Sequence, residues 1–102
     1  MKFDNVSVEI EGNSYFGGAV TSRTIHFPDG THKTLGFMAE GEYEFGTNQA
    51  ELMEITSGEL EYKLDNSDEW IDVKDGESFN VPANSKFKVK AKSLVDYCCS
   101  YL

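Results

Sequence analysis

Apolar and polar side chains alternate along almost the whole chain. The alternation is clearest at residues 6–10, 25–27, 60–64, 87–91 and 97–101. A period of two places successive side chains on opposite faces of a β-strand, whereas a helix repeats about every 3.6 residues. The pattern therefore predicts a protein built from strands, without long helices.

Turn-forming residues separate these stretches at short intervals. They cluster at residues 11–13, 28–30, 40–41, 46–48, 57–58, 65–67, 75–76 and 82–84. Short strands joined by regular turns are typical of an antiparallel sandwich or barrel. Because no repeat, low-complexity tract or linker interrupts the pattern, we expect residues 1–102 to form a single domain with one core.

Two pairs of residues indicate the kind of barrel. One pair is Glu51 with Gly58, and the other is Gly76 with Pro82. Each pair marks a predicted strand and the turn that ends it. Such pairs are typical of the two halves of a cupin. We therefore predict an all-β, single-domain cupin-type barrel, a fold also described as a double-stranded β-helix or jelly roll.

The histidine content argues against a metal centre. Positions that normally carry metal-binding histidines in this barrel hold Phe45, Thr47 and Phe87. The two histidines of the chain, His26 and His32, are separated by a Pro-Asp-Gly turn, and one of them with a carboxylate would be a thin ligand set for zinc or iron. We predict no metal site; a metal-dependent oxygenase or isomerase is the alternative.

Charge and hydropathy narrow the choice of partners. The chain carries 18 acidic residues against 9 Lys and Arg, a net charge of -9, which repels nucleic acid and anionic membranes. Residues 1–6 lack the apolar segment of a signal peptide, and no apolar run approaches the roughly 18 residues of a membrane span. We expect a soluble cytoplasmic protein that binds neither nucleic acid nor membrane.

The two cysteines, Cys98 and Cys99, are adjacent. In a strand they point to opposite faces and are poorly placed to bridge each other. Structural thiols are the expectation, and a redox pair is the alternative.

One face of the strand that begins at Glu51 is expected to line the cavity of the barrel. If Glu51 faces inward, Met53 and Ile55 do too. A buried carboxylate needs a hydrogen-bonding neighbour or a raised pKa. Glu51 is therefore a candidate catalytic or binding residue, although it could instead cap a turn or face solvent.

The same alternation sorts two neighbouring strands. Tyr43, Phe45 and Thr47 share one face of the strand before Glu51. After Pro82, the inward set is Phe87, Val89 and Ala91, and the outward set is Lys86, Lys88, Lys90 and Lys92. The lysine row is either a solvated face that blunts edge pairing or a groove for an anionic ligand.

Residues 32–36 combine polar donors with a glycine. Lys33 could neutralise a phosphate as a point charge, and His32 or Thr34 could add a hydrogen bond to it. Gly36 would let a ligand approach the backbone. A solvated hairpin arm is the alternative. Arg23, the single arginine, is a second candidate for an anion contact.

Residues 96–102 are aromatic and apolar to the last position. We expect them to form a long edge strand, which needs cover because its unpaired backbone groups would otherwise recruit another chain. Pairing with a second subunit would supply that cover, so a homodimer is expected.

Several short segments together resemble one family. They are Asn13, Tyr15-Phe16-Gly17-Gly18, Lys33-Thr34-Leu35-Gly36, Gly41-Glu42-Tyr43-Glu44-Phe45, Glu51-Leu52-Met53 with Ser57-Gly58, Trp70, Gly76-Glu77-Ser78-Phe79, Val81-Pro82-Ala83-Asn84-Ser85 and the Tyr-Cys ending. From residue 13 to residue 102 the chain resembles the small single-domain cupins of the pyrimidine/purine nucleoside phosphorylase family. Some members carry a basic residue where this chain has Ser100, so no phosphate-binding role is carried to that position.

The resemblance implies a homodimeric cytoplasmic pentosyltransferase of nucleotide salvage. It would convert purine and pyrimidine nucleosides and phosphate into free base and ribose 1-phosphate, with phosphate as co-substrate and no other cofactor. Lys33 and His32 would hold phosphate, and Glu51 would face the ribose hydroxyls or the developing positive charge. The remaining substrate-binding candidates, which would enclose the nucleoside, are Tyr43, Thr47, Met53, Phe79, Phe87 and Tyr97. A non-catalytic cupin that binds a small sugar or nucleoside is the alternative.

Overall fold

The computed structural model describes residues 2–102, so Met1, the first residue of the predicted domain, lies outside it. Within these residues the chain forms eleven strands. They are β1 (Ser7–Val8), β2 (Asn13–Tyr15), β3 (Val20–His26), β4 (His32–Met38), β5 (Gly41–Gly46), β6 (Glu51–Ser57), β7 (Glu59–Leu64), β8 (Ile71–Lys74), β9 (Ser78–Val81), β10 (Lys86–Ala91) and β11 (Val95–Tyr101). The all-β prediction is confirmed.

Helical structure in this part of the chain is confined to one short 3-10 turn, Phe16–Gly18, which directly follows β2. No helix among residues 2–102 is long and apolar enough to cross a membrane.

The strands form two antiparallel sheets. Sheet A has the order β1-β3-β4-β11-β6-β9, with β2 also paired to β3, and sheet B has the order β5-β10-β7-β8. The core lies between the inner faces of the two sheets and is filled by Val20, Met38, Ile55, Leu60, Val81, Val89 and Val95, all almost completely buried. Each sheet thus contributes one apolar face, as the alternation predicted.

The outward position of the lysine row is confirmed. Phe87, Val89 and Ala91 are buried in the core, and the lysines between them point away from it. On the outer face of sheet B, Lys88 lies opposite Glu44 and Lys90 opposite Glu42, so opposite charges face each other across β10 and β5.

The expectation of an edge position for the C-terminal strand is wrong. β11 lies inside sheet A, where it pairs with β4 on one side and β6 on the other. Its apolar composition reflects this central position, because both of its edges are already hydrogen-bonded within the sheet. The C-terminal strand therefore needs no partner chain to cover it.

Gly36, in the middle of β4, is required by the approach of β3. A Cβ atom at this position would lie 1.8 Å from the carbonyl oxygen of Thr21, well inside van der Waals contact. The space that the sequence suggested for a ligand is thus filled by the neighbouring backbone.

Candidate functional site

A cavity of about 80 Å³ lies on the inner face of sheet A, near the end of β5 that carries Phe45. Its lining combines hydroxyl groups, a carboxylate, a thiol, thioethers and aromatic rings. The lining residues are Tyr15, Ser22, Thr34, Met38, Phe45, Glu51, Met53, Tyr97, Cys99 and Tyr101.

Strand register brings these residues together. Cys99 lies opposite Thr34 on one side and Met53 on the other, and Tyr101 lies opposite Glu51. Residues directly opposite each other in a sheet point to the same face. The central strand β11 therefore joins side chains from the N-terminal part of the chain to the strand that begins at Glu51.

Glu51 is partly buried and has a hydrogen-bonding neighbour. The Sγ atom of Cys99 donates to its Oε1 at 3.5 Å. Burial raises the pKa of the Glu51 carboxyl group above its usual range, and the Cys99 hydrogen bond only partly offsets this. Both features expected of a buried carboxylate are present.

The Cys99 thiol stays protonated near neutral pH. Burial, together with the charge and hydrogen bond of Glu51, raises its pKa to about 12. A neutral thiol can donate a hydrogen bond to a carboxylate, whereas a thiolate cannot. Cys98 is buried on the other face of the sheet, so the prediction that the two cysteines face opposite sides is confirmed.

Three further hydrogen bonds involve polar side chains around the cavity. The hydroxyl groups of Thr34 and Tyr101 are hydrogen-bonded at 3.2 Å, and the hydroxyl of Tyr97 donates to the Thr21 carbonyl at 3.2 Å. The Nδ2 atom of Asn13 donates to Ser22 Oγ at 3.2 Å. Burial raises the pKa of Tyr97 and of Tyr101, so both rings carry neutral hydroxyls. The Tyr97 hydroxyl, which donates to Thr21, can accept a hydrogen bond from a ligand.

Of the predicted site residues, Glu51, Met53 and Tyr97 line the cavity. Phe79 and Phe87 do not: they are buried in the core, with ring centroids 6.1 Å apart. A base could reach those two rings only by displacing core packing.

Tyr43 and Thr47 also make their hydrogen bonds outside the cavity. The hydroxyl of Tyr43 donates to the Ala39 carbonyl at 2.7 Å. Thr47 Oγ1 donates to the Pro82 carbonyl at 2.7 Å and accepts from the Ser85 amide at 3.0 Å. Both side chains stabilise the backbone near the ends of β5.

The two residues predicted to bind phosphate lie on opposite faces of sheet A. Lys33 lies on the outer face of sheet A, where its Nζ is 5.4 Å from the ring centroid of Phe3 and 5.6 Å from that of Phe27. His32 shares the face of Thr34 and stacks on Tyr101, with centroids 4.9 Å apart. Only His32 therefore lies at the rim of the cavity.

The other predicted anion contact, Arg23, and the other histidine, His26, do not line the cavity. Arg23 is exposed and, by its register with Leu35, belongs to the outer face of sheet A. His26 Nε2 is 2.6 Å from Glu9 Oε2 at the surface. Among residues 2–102, no group of three or more His, Cys, Asp or Glu side chains is arranged to hold a metal ion.

Several of the lining residues were not among the site residues predicted from the sequence. Tyr15 belonged only to a family motif, and Ser22 carries no local signal at all. Cys99 and Tyr101 continue the alternation of Tyr97 along the same strand, which was a usable signal. Their place in the site depends on the pairing of β11 with β4 and β6.

The two-sheet architecture and the inward-facing cavity define a cupin-type β-sandwich. A cupin-superfamily protein from Desulfitobacterium hafniense DCB-2 superposes with a TM-score of 0.66 at 22% identity, covering 91% of this chain and 84% of the other. A DUF1255 protein of unknown function from Acinetobacter sp. ADP1 superposes with a TM-score of 0.96 at 42% identity, covering 99% and 98%.

The particular family follows from sequence similarity. The model of the pyrimidine/purine nucleoside phosphorylase family matches residues 10–101. A protein of that name from Sulfurovum sp. (strain NBC37-1) is 73% identical over 101 residues, which is 99% of this chain and 98% of the relative. Another from Geotalea uraniireducens (strain Rf4) is 58% identical, covering 99% and 97%. The chain belongs to this family, which confirms the resemblance drawn from its motifs.

Proposed function

We propose that this protein catalyses phosphorolysis of purine and pyrimidine nucleosides. A phosphate oxygen forms a bond to C1′ of the ribose while the bond from C1′ to the base nitrogen breaks. The electron pair leaves with the base, which takes up a proton, and the second product is ribose 1-phosphate. Membership of the family and the name of the relatives support this reaction class.

The observation that carries the proposal is the position of Glu51 among neutral donors. The sugar develops positive charge as the bond to the base breaks, and a carboxylate close by stabilises that charge more than it stabilises the ground state. The hydroxyls of Thr34, Tyr97 and Tyr101, on the same face, can hold the ribose hydroxyls in place. Glu51 therefore belongs on the sugar side of the substrate.

Phosphate is proposed to enter from the rim at His32. Two like charges repel each other strongly in a partly buried site, so phosphate and an ionised Glu51 are best placed on different sides of the sugar. His32 is exposed and stacks on Tyr101, whose hydroxyl reaches Thr34. Lys33 faces the other side of the sheet and is not part of this proposal.

The assembly and setting of the enzyme are proposed as well. We expect a cytoplasmic homodimeric glycosyltransferase of nucleotide salvage, with phosphate as co-substrate and no other cofactor. Since β11 is already paired on both sides, the dimer would use another surface of the molecule. Light scattering during gel filtration measures the mass directly, and a single species of one chain would contradict the dimer.

The test of the activity is release of free base from uridine, cytidine, adenosine, guanosine and inosine, with and without phosphate, after chelator treatment. Phosphate-dependent release from both purine and pyrimidine nucleosides is the expected result. Release that does not depend on phosphate would indicate a hydrolase and would contradict the proposal.

A second candidate is a cupin that binds a small sugar or nucleoside without turnover. The volume of the cavity favours a small sugar among these ligands, because about 80 Å³ is well below the roughly 300–1,000 Å³ of ordinary small-molecule pockets. Saturable binding of ribose or nucleoside, with no release of base from any of the five substrates, would establish this function instead.

A further inference from the structure

The cavity is too small to enclose a whole nucleoside. Its volume of about 80 Å³ is well below the roughly 300–1,000 Å³ of pockets that bury a whole small-molecule ligand. One part of a nucleoside could enter it, and the other part would stay at the mouth. The residues at the mouth then decide which bases are accepted.

The chemistry of the lining favours the sugar as the inner part. Glu51 and the hydroxyls of Ser22, Thr34 and Tyr101 offer donors and acceptors that match a ring bearing several hydroxyls. A ribose can satisfy such groups over its whole surface, whereas the faces of a base cannot. The base would therefore project outward.

Tyr15 stands at the mouth. It lines the cavity, yet 49% of its surface is exposed, so its ring is open both to the cavity and to solvent. It is the last residue of the edge strand β2, opposite Val20, whose side chain enters the core. No protein side chain of the described residues stacks on its ring.

The turn after Tyr15 has an unusual backbone conformation. Phe16, Gly17 and Gly18 have φ values of 52°, 66° and 96°, a left-handed run that a phenylalanine rarely adopts. The Phe16 ring packs at 5.1 Å from Tyr43 and 5.7 Å from Phe45, centroid to centroid. Strained backbone of this kind persists only where surrounding contacts enforce it.

Resting on the proposed function, we propose that Tyr15 is the platform on which the nucleobase stacks while the ribose occupies the cavity. Every base has an aromatic face, so stacking accepts purines and pyrimidines alike. Hydrogen bonds to base edges would instead distinguish purines from pyrimidines. The breadth of substrates would then follow from leaving the base outside the polar cavity.

The test compares ligands with and without a base. Dissociation constants for inosine, uridine and ribose 1-phosphate are measured by calorimetry on the wild type and on Tyr15→Ala, Tyr15→Phe and Phe37→Ala. Phe37 is the matched control because it is also 49% exposed, but it lies on the outer face of sheet A. Thermal unfolding and circular dichroism verify that each variant is folded.

We expect Tyr15→Ala to weaken inosine and uridine binding by roughly tenfold or more, and inosine by the larger factor, because a purine loses more stacking area. Binding of ribose 1-phosphate should change by less than about twofold, since it has no base to stack. Tyr15→Phe and Phe37→Ala should both bind the nucleosides like the wild type. The proposal that Tyr15 is a stacking platform would be overturned if Tyr15→Ala lost affinity equally for all three ligands or lost none. It would also be overturned if the wild type bound no nucleoside.

Base release by the wild type, measured separately, keeps the two proposals apart. If the wild type releases base but nucleoside binding does not depend on Tyr15, the platform is contradicted and phosphorolysis is supported. If nucleoside binding depends on Tyr15 but no base is released, the platform is supported and phosphorolysis is contradicted.

Discussion

Glu51 combines a position in the cavity with a cost to stability. Burial raises its pKa, which means that the surroundings disfavour the charged form that exists near neutral pH. The Cys99 thiol only partly compensates through its hydrogen bond. Residues that weaken the fold and also line a cavity are common at active sites.

Replacing Glu51 by glutamine should separate these two effects. We expect kcat/KM for phosphorolysis to fall by at least about tenfold, or about 1.4 kcal/mol, because the amide cannot stabilise the developing positive charge. Steady-state base release measures this. Unchanged kinetics in the folded variant would remove Glu51 from the mechanism.

The same substitution should change the pH dependence of stability. A carboxyl group whose folded pKa lies above its unfolded value of 4.5 contributes stability below that value and loses it as the pH rises through the folded pKa. Glu51→Gln should therefore have a higher Tm than the wild type at neutral pH, with the difference shrinking as the pH falls toward 4.5. Glu54→Gln, on the outer face of the same strand, is the control and should not show this pattern.

Substitutions of the neighbouring residues His32 and Lys33 should have different effects on phosphate binding. We expect His32→Ala to raise the KM for phosphate several-fold more than the KM for nucleoside, since only His32 lies at the rim of the cavity. Lys33→Ala should leave the phosphate KM unchanged, because Lys33 contacts Phe3 and Phe27 on the opposite face. Phosphate titrations at fixed nucleoside measure both, and the reverse order of effects would place the phosphate on the outer face.

Among the elements, β4 shows best where reasoning from residue type failed. His32, Lys33 and Thr34 were grouped because all three can contact an anion, but successive residues of a strand face opposite sides. The period of two, applied to β5, β6 and β10, placed their side chains correctly. Applied to β4, it would have separated Lys33 from His32 without any structure.

The close contact of β3 with β4 predicts a strong effect at Gly36. Gly36→Ala should lower the free energy of unfolding by about 2–3 kcal/mol or more, because the added Cβ meets the Thr21 carbonyl and the sheet must distort. Urea unfolding followed by fluorescence measures it. Gly46→Ala is the matched control, since the nearest heavy atom to its added Cβ is the Ser85 carbonyl oxygen at 3.9 Å, and a comparable loss there would refute the explanation.

At the scale of the whole molecule, β11 holds sheet A together. It pairs with β4 and β6 and contributes Tyr97, Cys99 and Tyr101 to the cavity. A central strand cannot be lost without leaving two rows of backbone groups unpaired. The site and the stability of the fold thus depend on the same strand.

Deleting residues 95–102 should therefore abolish folding. We expect loss of the cooperative thermal transition and of the strand signal in circular dichroism. Deleting residues 2–5, which belong to no strand, should lower Tm only modestly through the lost contacts of Phe3. A C-terminally shortened chain that still unfolds cooperatively would show that sheet A tolerates the loss.

The sequence by itself determined the local structure. Alternation and turn residues predicted the strands and a shared face for Glu51 and Met53, because side-chain direction and turn conformation depend on a few adjacent residues. The motifs also indicated the family, and the comparisons confirmed it. These features need no knowledge of which strand lies beside which.

Only the tertiary structure decided which side chains share the cavity. Thr34 and Tyr101 are hydrogen-bonded although 67 positions separate them, and Cys99 meets Glu51 across 48. Strand order decides such contacts, and it follows from how the two sheets bury their apolar faces together rather than from any local pattern. For the same reason β11 lies at the centre of its sheet, and Phe79 and Phe87 pack in the core instead of against a base.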